Sequence, residues 1–446
     1  MKKQTPVYYI LAVCVAVVLG VVVYKLAAEK KNSTPKTGLN SDVIFECVPR
    51  DIMGFSVENE KEQYKITKTE EWQIEGLEDK MLDAKAVKDT VLLLSSVKGN
   101  KLQSLEDSPS FDKKAVIFTD NEKNGEESFF LGESDKKYYL KNSKGDVYEI
   151  SQVFYSVAER SLDFYREKNL SQIKMFNESN FLSLEYKPGA FNSFKQNVVI
   201  GLKNEKEKKL FGEKSQYIMK TPFYKPVNTG SFDTKVIAKL SALKAEKFVT
   251  DKAEDLSDYG LDKKSRGEFY LKTDKGEFTL YIGTHSHEEE LGEVYAMFEG
   301  ETTVFTVLST NVGFAFTDPF EYIEKNLFEF DFDYLNKAEI KYGEEKFVFE
   351  NKQKKYYLNK KPISDSGFFE FEKELEKVLL NSETKNKQGS KILDIKVVLK
   401  ENGVREYEIY KTENNKYILC ENDFICYLEE KSVDDFISYL KELGGV

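Results

Sequence analysis

The feature that most constrains this 446-residue chain is that it repeats itself three times. In each copy a helical pattern is followed, after a similar interval, by two short aromatic strands and a closing helix. The opening helices are expected near Asp83, Asp233 and Asp365, acids suited to an N-cap or a first turn. Apolar side chains then recur at helical spacing: Val87, Val91, Leu94 and Val97; Val236, Ile237, Leu240 and Leu243; Phe368, Phe371, Leu375, Val378 and Leu379. Closing helices are expected near Ser151, Leu308 and Ser432, giving intervals of 68, 75 and 67 residues. Between them Lys137–Leu140, Val294–Met297 and Lys416–Leu419 correspond, as do Val147–Ile150, Val304–Val307 and Ile425–Leu428. Each pair brackets a turn rich in Gly, Asn or Asp, which marks a hairpin.

Short strands also precede each opening helix: Tyr64–Ile66 with Trp72–Ile74, Leu184–Tyr186 with Tyr217–Met219, and Phe347–Phe349 with Tyr356–Leu358. Each copy therefore reads as two or three strands, a helix, four strands and a helix, an antiparallel sheet with helices on one face. The expected fold class is α+β: three tandem related modules of antiparallel sheet plus helices, preceded by one N-terminal transmembrane helix. The boundaries are an anchor over 1–28, a linker over 29–42, and modules over 43–170, 171–334 and 335–446. A charged insertion in the second copy, Lys203 to Lys209, is expected to be an exposed loop.

Val7–Tyr24 is a run of 18 apolar or glycine residues, flanked by Lys2 and Lys3 before it and Lys25 after it. As a helix it rises roughly 27 Å, close to the ~30 Å of a hydrocarbon core. It is longer than the ~7–15 apolar residues of a cleaved signal peptide, and Ala27-Ala28-Glu29 is a poor cleavage site. An uncleaved anchor is expected, with cleavage or lipidation at Cys14 as the alternatives. The lysines beyond it (Lys25, Lys30, Lys31, Lys36) do not favour a cytoplasmic N-terminus, but long C-terminal bodies translocate largely regardless of such charges. The expected location is the cell membrane, single-pass, with the body extracytoplasmic on the flexible segment 29–42.

With 33 Phe and 26 Tyr there is material for several cores, so 32% charged residues does not mean disorder. The formal charge is −11, and residues 1–31 hold five Lys against Glu29, a net of +4, which leaves −15 on the rest. A body that acidic repels phosphate backbones, so nucleic acid is not an expected partner. Four cysteines are too few for a disulfide framework. Cys420 and Cys426 flank a turn at Glu421–Asp423 and pair only if it puts them on one face; a buried thiol is the commoner fate of a strand cysteine.

The middle copy carries Asp255-Leu256-Ser257-Asp258-Tyr259-Gly260-Leu261-Asp262 and a strand ending Leu280-Tyr281-Ile282-Gly283. With Pro222, Phe232-Asp233, Val236–Leu243, Ala245, Phe248-Val249, Tyr295 and Val304-Phe305, this run resembles the bacterial domain of unknown function numbered 4340. That family usually places Pro after the Asp of Tyr-Gly-Leu-Asp, where Lys263 stands here. The first copy keeps only Leu131-Gly132 and the third keeps neither signature. The resemblance implies an N-terminal anchor, an extracytoplasmic body, a companion role beside gliding-type ABC transporters, and no catalytic residues. Physically, Gly260 suits a backbone with φ > 0, Leu261 a buried plug, and Tyr259 and Asp262 a turn fixed by packing and capping; with Gly283 the element reads as structural.

Two features invite a chemical reading. Both histidines, His285 and His287, fall in one segment followed by Glu288, Glu289 and Glu290, a weak metal-ligand pattern in a place where a solvated hairpin loop is expected. Phe328–Tyr334 alternates aromatic and acidic residues; as a strand it puts four aromatics on one face, sealing the second module against the third, and Glu329, Asp331 and Asp333 on the other. Paired carboxylates suit Ca²⁺ or acid–base chemistry, but nothing in the sequence gives the two acids different surroundings. There is no P-loop, no dinucleotide-binding glycine fingerprint, no C-x-x-C, no H-E-x-x-H and no G-x-S-x-G. The expected function is a non-catalytic, membrane-anchored accessory or scaffold protein without cofactor, partnering an ABC-type transporter complex. A module binding an envelope polymer through exposed aromatics is the alternative. A metal- or carboxylate-dependent hydrolase, using His285, His287 or the Asp331/Asp333 pair, is the third reading.

Overall fold

The structure, a computed structural model, describes residues 41–103, 109–120, 125–174, 180–286, 292–330, 332–400 and 403–444. The expected anchor and nearly all of the tether lie outside the described residues, and no described helix is long and apolar enough to cross a membrane. The chain divides into two compact units, residues 1–167 and 168–446. The first holds one nine-stranded sheet and the second holds two.

In the first unit β1 (Asp42–Glu46), β2 (Ile52–Glu58), β3 (Gln63–Lys68) and β4 (Trp72–Ile74) precede helix α1 (Ala84–Leu94). Then come β5 (Ser96–Lys101), β6 (Ser110–Thr119), β7 (Glu126–Ser134), β8 (Lys137–Asn142), β9 (Val147–Ile150) and α2 (Gln152–Glu159). The helices start where their caps dictate. Asp83 accepts from the N–H groups of Lys85 and Ala86, and Ser151 accepts from that of Phe154. Register explains the core: Val57 opposes Ala115, which opposes Phe129, and this row packs with Val87, Val91 and Leu94 of α1 and Phe154 of α2.

The second module begins with β10 (Phe181–Lys187), β11 (Val198–Leu202), α3 (Glu205–Phe211), β12 (Tyr217–Thr221) and β13 (Lys225–Pro226). A helix over 229–241, α4, leads to β14 (Lys247–Thr250), β15 (Gly267–Thr273), β16 (Glu277–His285), β17 (Glu293–Phe298) and β18 (Val304–Leu308). The third follows with β19 (Leu335–Tyr342), β20 (Glu345–Lys352), β21 (Lys355–Leu358), β22 (Lys361–Ile363) and α5 (Asp365–Glu376). It closes with β23 (Leu380–Glu383), β24 (Ser390–Leu399), β25 (Val404–Lys411), β26 (Tyr417–Glu421), β27 (Phe424–Leu428) and α6 (Glu430–Gly444).

These two sheets share one topology, β13-β12-β11-β10-β15-β16-β17-β18-β14 and β22-β21-β20-β19-β24-β25-β26-β27-β23. Four strands meander outward, a helix crosses back, one strand lands on the far edge, and four more fill the sheet from the middle. The first sheet, β1-β5-β9-β8-β7-β6-β2-β3-β4, lacks the outermost strand of the opening meander and gains β1 outside β5 instead. The fold is therefore α+β, mostly sheet, in three related modules, each with a strand after the crossover helix (β5, β14, β23) that the repeat pattern did not reveal. β14 and β23 are short and half exposed, so they carry little periodicity. Val97 of β5 falls at helical spacing from Leu94 and was read with the helix, although it is a buried strand residue.

Other local expectations change. The middle opening helix starts at Thr229, because the Asn228 side chain accepts from the Ser231 N–H, and Asp233 opens a π-turn inside it. Ser432 lies within α6, which starts at Glu430. The segment Lys203–Lys209 is not an exposed loop: Asn204 and Glu207 form a capping box that starts α3, with Lys203 and Glu207 both buried. Residues 327–330 form no strand and Phe332–Tyr334 is a 3₁₀ turn, so Glu329 is buried along with Phe328 and Phe330. Cys420 opposes Ile425 while Cys426 opposes Leu419, which puts the two cysteines on opposite faces; both thiols are free.

Candidate functional site

The Tyr259–Asp262 element and Gly283 belong to the scaffold of the second module. A 3₁₀ turn over Leu256–Tyr259 ends at Gly260, whose φ of +64° is the left-handed conformation that glycine adopts without strain. The Leu261 N–H then returns to the Leu256 carbonyl at 2.9 Å, and its side chain is fully buried beside Tyr281, Met297 and Val304. Tyr259 meets Tyr295 edge-on at 5.1 Å, and the Asp262 carboxylate accepts from the Lys264 N–H at 3.0 Å. A Cβ on Gly283 would stand 2.1 Å from the Tyr259 carbonyl oxygen, so the bare glycine lets this turn seat on β16. The first module repeats the device with Gly132 against the Ser110 carbonyl. The third reverses it: Gly389, in the loop before β24, meets the Lys411 carbonyl of β25.

The histidines do not assemble a site in the described structure. His285 is exposed at the end of β16, its ring 5.4 Å from that of Phe316, and His287 lies outside the described residues. Among the described residues no group of three or more His, Cys, Asp and Glu could hold a metal ion. Asp331 also lies outside the described residues.

Chemistry gathers instead where the second and third modules join within the 168–446 unit. Their cores are continuous: Phe223 meets Phe424 at 5.5 Å, and Phe328 meets Tyr407 at 5.0 Å. Burying rings of this size contributes about 1.5–3 kcal/mol each. Into this join the chain places three charges. Lys225, on β13, forms an ion pair with Glu421 of β26, whose other oxygen receives Arg405 Nε of β25 at 2.9 Å. Their side chains are 3%, 9% and 4% exposed, so two cations share one anion out of water. Burial opposes ionisation of Glu421, but Arg405 and Lys225 together hold its carboxyl below the usual range. Arg405 also donates to the Glu329 carbonyl at 3.2 Å and stacks over Phe211 at 4.8 Å.

On one side of Phe211 opens a cleft of about 620 Å³. Its aromatic lining includes Phe330, Phe332, Tyr356 and Phe369, the last 56% exposed. One wall is the outer face of α5, where Asp365, Phe369, Glu372 and Glu376 recur at helical spacing while Phe368, Phe371 and Leu375 face the core. Glu213, Glu329 and Asp333 complete the acids, and Lys214 and Lys354 are the cations of the lining, so six carboxylates face two ammonium groups. Lys214 pairs with Glu376 at 3.2 Å. Glu329 is 8% exposed; burial, then the charge of Glu324, raises its carboxyl above the usual range, partly offset by Lys214, Lys203 and Arg405. Lys203 donates to the Gly212 carbonyl at 3.0 Å, and burial lowers its ammonium to about 8 against the pull of Glu329, Glu324 and Glu207. Among the described residues no Ser, Thr, Cys or His lines this cleft.

Of the candidate site residues singled out from sequence, Glu329 and Asp333 of the Phe328–Tyr334 run reach this place, with Phe330 and Phe332 of the same run beside them. Phe211–Lys214, Tyr356 and the Asp365–Glu376 face were missed as a group. The readable signals were the Asn204-x-x-Glu207 capping box and the second stripe along α5.

Residues 234–384 match the family model described as a domain of unknown function (DUF4340). The match starts inside α4 and runs through the rest of the second module and into the third as far as β23 and the residue after it, farther than the run read from sequence. It includes the Tyr-Gly-Leu-Asp turn and the α5 wall of the cleft, but neither α3 nor the Lys225–Glu421–Arg405 triad. No curated protein and no solved structure matches the chain.

Proposed function

We propose that this protein is a non-catalytic, membrane-anchored extracytoplasmic accessory protein that holds a protein partner, an ABC-type transporter complex. The observation that carries the reading is the chemistry of the join cleft. Among the described residues its lining offers carboxylates and aromatic faces, which recognise, and no Ser, Thr or Cys beside a His to act as an activated nucleophile. The buried triad supports the same reading: three ionisable groups in mutual contact hold two modules together and are spent on structure. An acidic, aromatic concavity between two modules that share one core suits a docking scaffold. The test is crosslinking in native membranes, mild solubilisation, affinity capture and mass spectrometry. Recovery of a transporter permease with its ATPase supports the proposal, and recovery of the chain alone overturns it.

One observation favours a second reading, retention of an envelope polymer: Phe369 and Tyr224, 56% and 47% exposed, are aromatic side chains outside the core. Cosedimentation with purified cell-wall polysaccharide, lost on Phe369→Ala, is the result that reading requires.

A further inference from the structure

Resting on the partner-holding reading above, we propose that the join cleft is a receptor for an arginine side chain presented by an exposed segment of the partner protein. Two independent observations converge on that chemistry. The first is charge and shape: a cavity of about 620 Å³ in which six carboxylates face two lysines, one of them paired with Glu376 at the rim. The second is Glu329. It lines the cleft at 8% exposure, and among the described residues no donor or cation pairs with its carboxylate. Its oxygens are not fully enclosed, so the small exposure they keep faces the cleft. A carboxylate so placed has given up most of its water and received no donor in exchange. A cation arriving in the cleft would supply that donor.

The aromatic lining selects guanidinium over a compact ammonium. A guanidinium is planar, stacks on ring faces and donates two parallel hydrogen bonds to one carboxylate, while its methylene stem lies along apolar surface. Phe369, 56% exposed, provides such a face beside the acids, with the half-buried Tyr356 6.4 Å from it and the half-buried Phe332 also in the lining. The same unit uses this arrangement internally. Arg266 lies 3.5 Å from the Tyr281 ring centroid while donating to Glu268 through Nε at 3.2 Å and Nη2 at 2.9 Å.

The experiment uses the full chain in detergent, titrated calorimetrically with two capped pentapeptides, Gly-Ser-Arg-Ser-Gly and its citrulline counterpart, which keeps the shape and loses the charge. The arginine peptide should bind at least tenfold more tightly, and Glu329→Gln and Phe369→Ala should each weaken it at least tenfold. Phe369 is exposed, so its removal leaves the fold intact, which an unchanged thermal transition verifies. Equal binding of the two peptides, or no binding at millimolar peptide, overturns the proposal. Binding of free arginine amide as tight as that of the peptide overturns the partner-segment occupant. Membrane capture of a transporter that survives both substitutions leaves the accessory role standing and removes the cleft from it. Peptide binding without transporter capture sinks the accessory role and keeps the arginine site.

Discussion

Replacing Glu421 by Gln tests whether the second and third modules are locked by charge. In the native chain Glu421 is the one anion paired with both Lys225 and Arg405, and all three side chains are less than a tenth exposed. Glutamine keeps the volume and one acceptor but leaves two buried cations facing each other. Breaking a buried pair by removing one partner costs about 3–5 kcal/mol, because the survivor must stay charged out of water or lose its proton. For a unit spanning 168–446, about 2 °C of midpoint per kcal/mol follows from the entropy of unfolding per residue, so the transition should fall by roughly 6–10 °C. The chain supplies its own control. Its only tryptophan, Trp72, packs on Phe55 in the first unit, 6.3 Å between rings. Tryptophan fluorescence should therefore report an unmoved transition while circular dichroism shows the second unit melting earlier. Converting the whole triad to apolar residues (K225M, R405M and E421L together) should recover most of the loss, since apolar packing replaces buried ion pairs at little or no cost. If E421Q melts within about 1 kcal/mol of the parent, the triad is solvated and the locking argument fails.

Three further outcomes follow from the geometry. Gly283→Ala drives a Cβ to 2.1 Å from the Tyr259 carbonyl and should cost about 2–3 kcal/mol, read as a lower urea midpoint of the second unit; an unchanged midpoint would show that the turn detaches freely from β16. Lys203, held at about 8 against the usual 10.5, is charged in both states below pH 8, but above it the folded form loses its proton first, so stability rises between about pH 8 and 10.5. Lys203→Met removes that rise; its stability relative to the parent should be greatest at pH 7 and shrink towards pH 10.5, and a pH-independent difference refutes the assignment. Cys420 and Cys426 should both react with a thiol reagent after denaturation without reductant, Cys426 only slowly before it, since burial pushes its thiol up to about 12; a missing thiol would mean a disulfide and a different register for β26 and β27.

The legible parts of this fold were those with a period. Val147–Ile150 is β9 to the residue, and Asp83 and Ser151 cap their helices, because alternation and capping are local physics. Illegible were the elements whose neighbours are remote in sequence. Glu329 looked like the solvent side of a strand; without a strand partner its segment turns, and Arg405, 76 residues on, takes its carbonyl. Lys203–Lys209 reads as a loop from its density of charge, whereas the helix there rests on two residues, the capping box of Asn204 and Glu207. Asp233 looked like a helix start because Asn228, the true cap, lay outside the apolar run. The cleft was missed for a related reason: the stripe Asp365, Phe369, Glu372, Glu376 is the polar face of an amphipathic helix, which sequence alone assigns to solvent.

The second and third modules share one sheet topology, from which the first departs at its two edges, and the modules differ most where they touch something. In all three a bare glycine admits a close backbone carbonyl, from a turn in the second module and from strand residues Ser110 and Lys411 in the first and third. The third moves the glycine to the other side of the contact, so the contact itself is what the fold requires. The join between the second and third modules is unlike this. Helix α3 comes from an insertion in the second copy and brings Phe211 between Arg405 and the cleft. Lys225 sits on the two-residue edge strand β13, where the third sheet has the three-residue β22. A sheet that merely had to fold would have no use for a paired set of buried charges, which cost desolvation that apolar residues avoid. What the charges add is orientation: each ion pair has one satisfactory geometry, so the angle between the two sheets, and with it the width of the cleft, is fixed more tightly than by packing of rings alone. The triad and the cleft are thus one device, and loosening the first by E421Q should weaken the arginine peptide at the second even at temperatures where the unit remains folded.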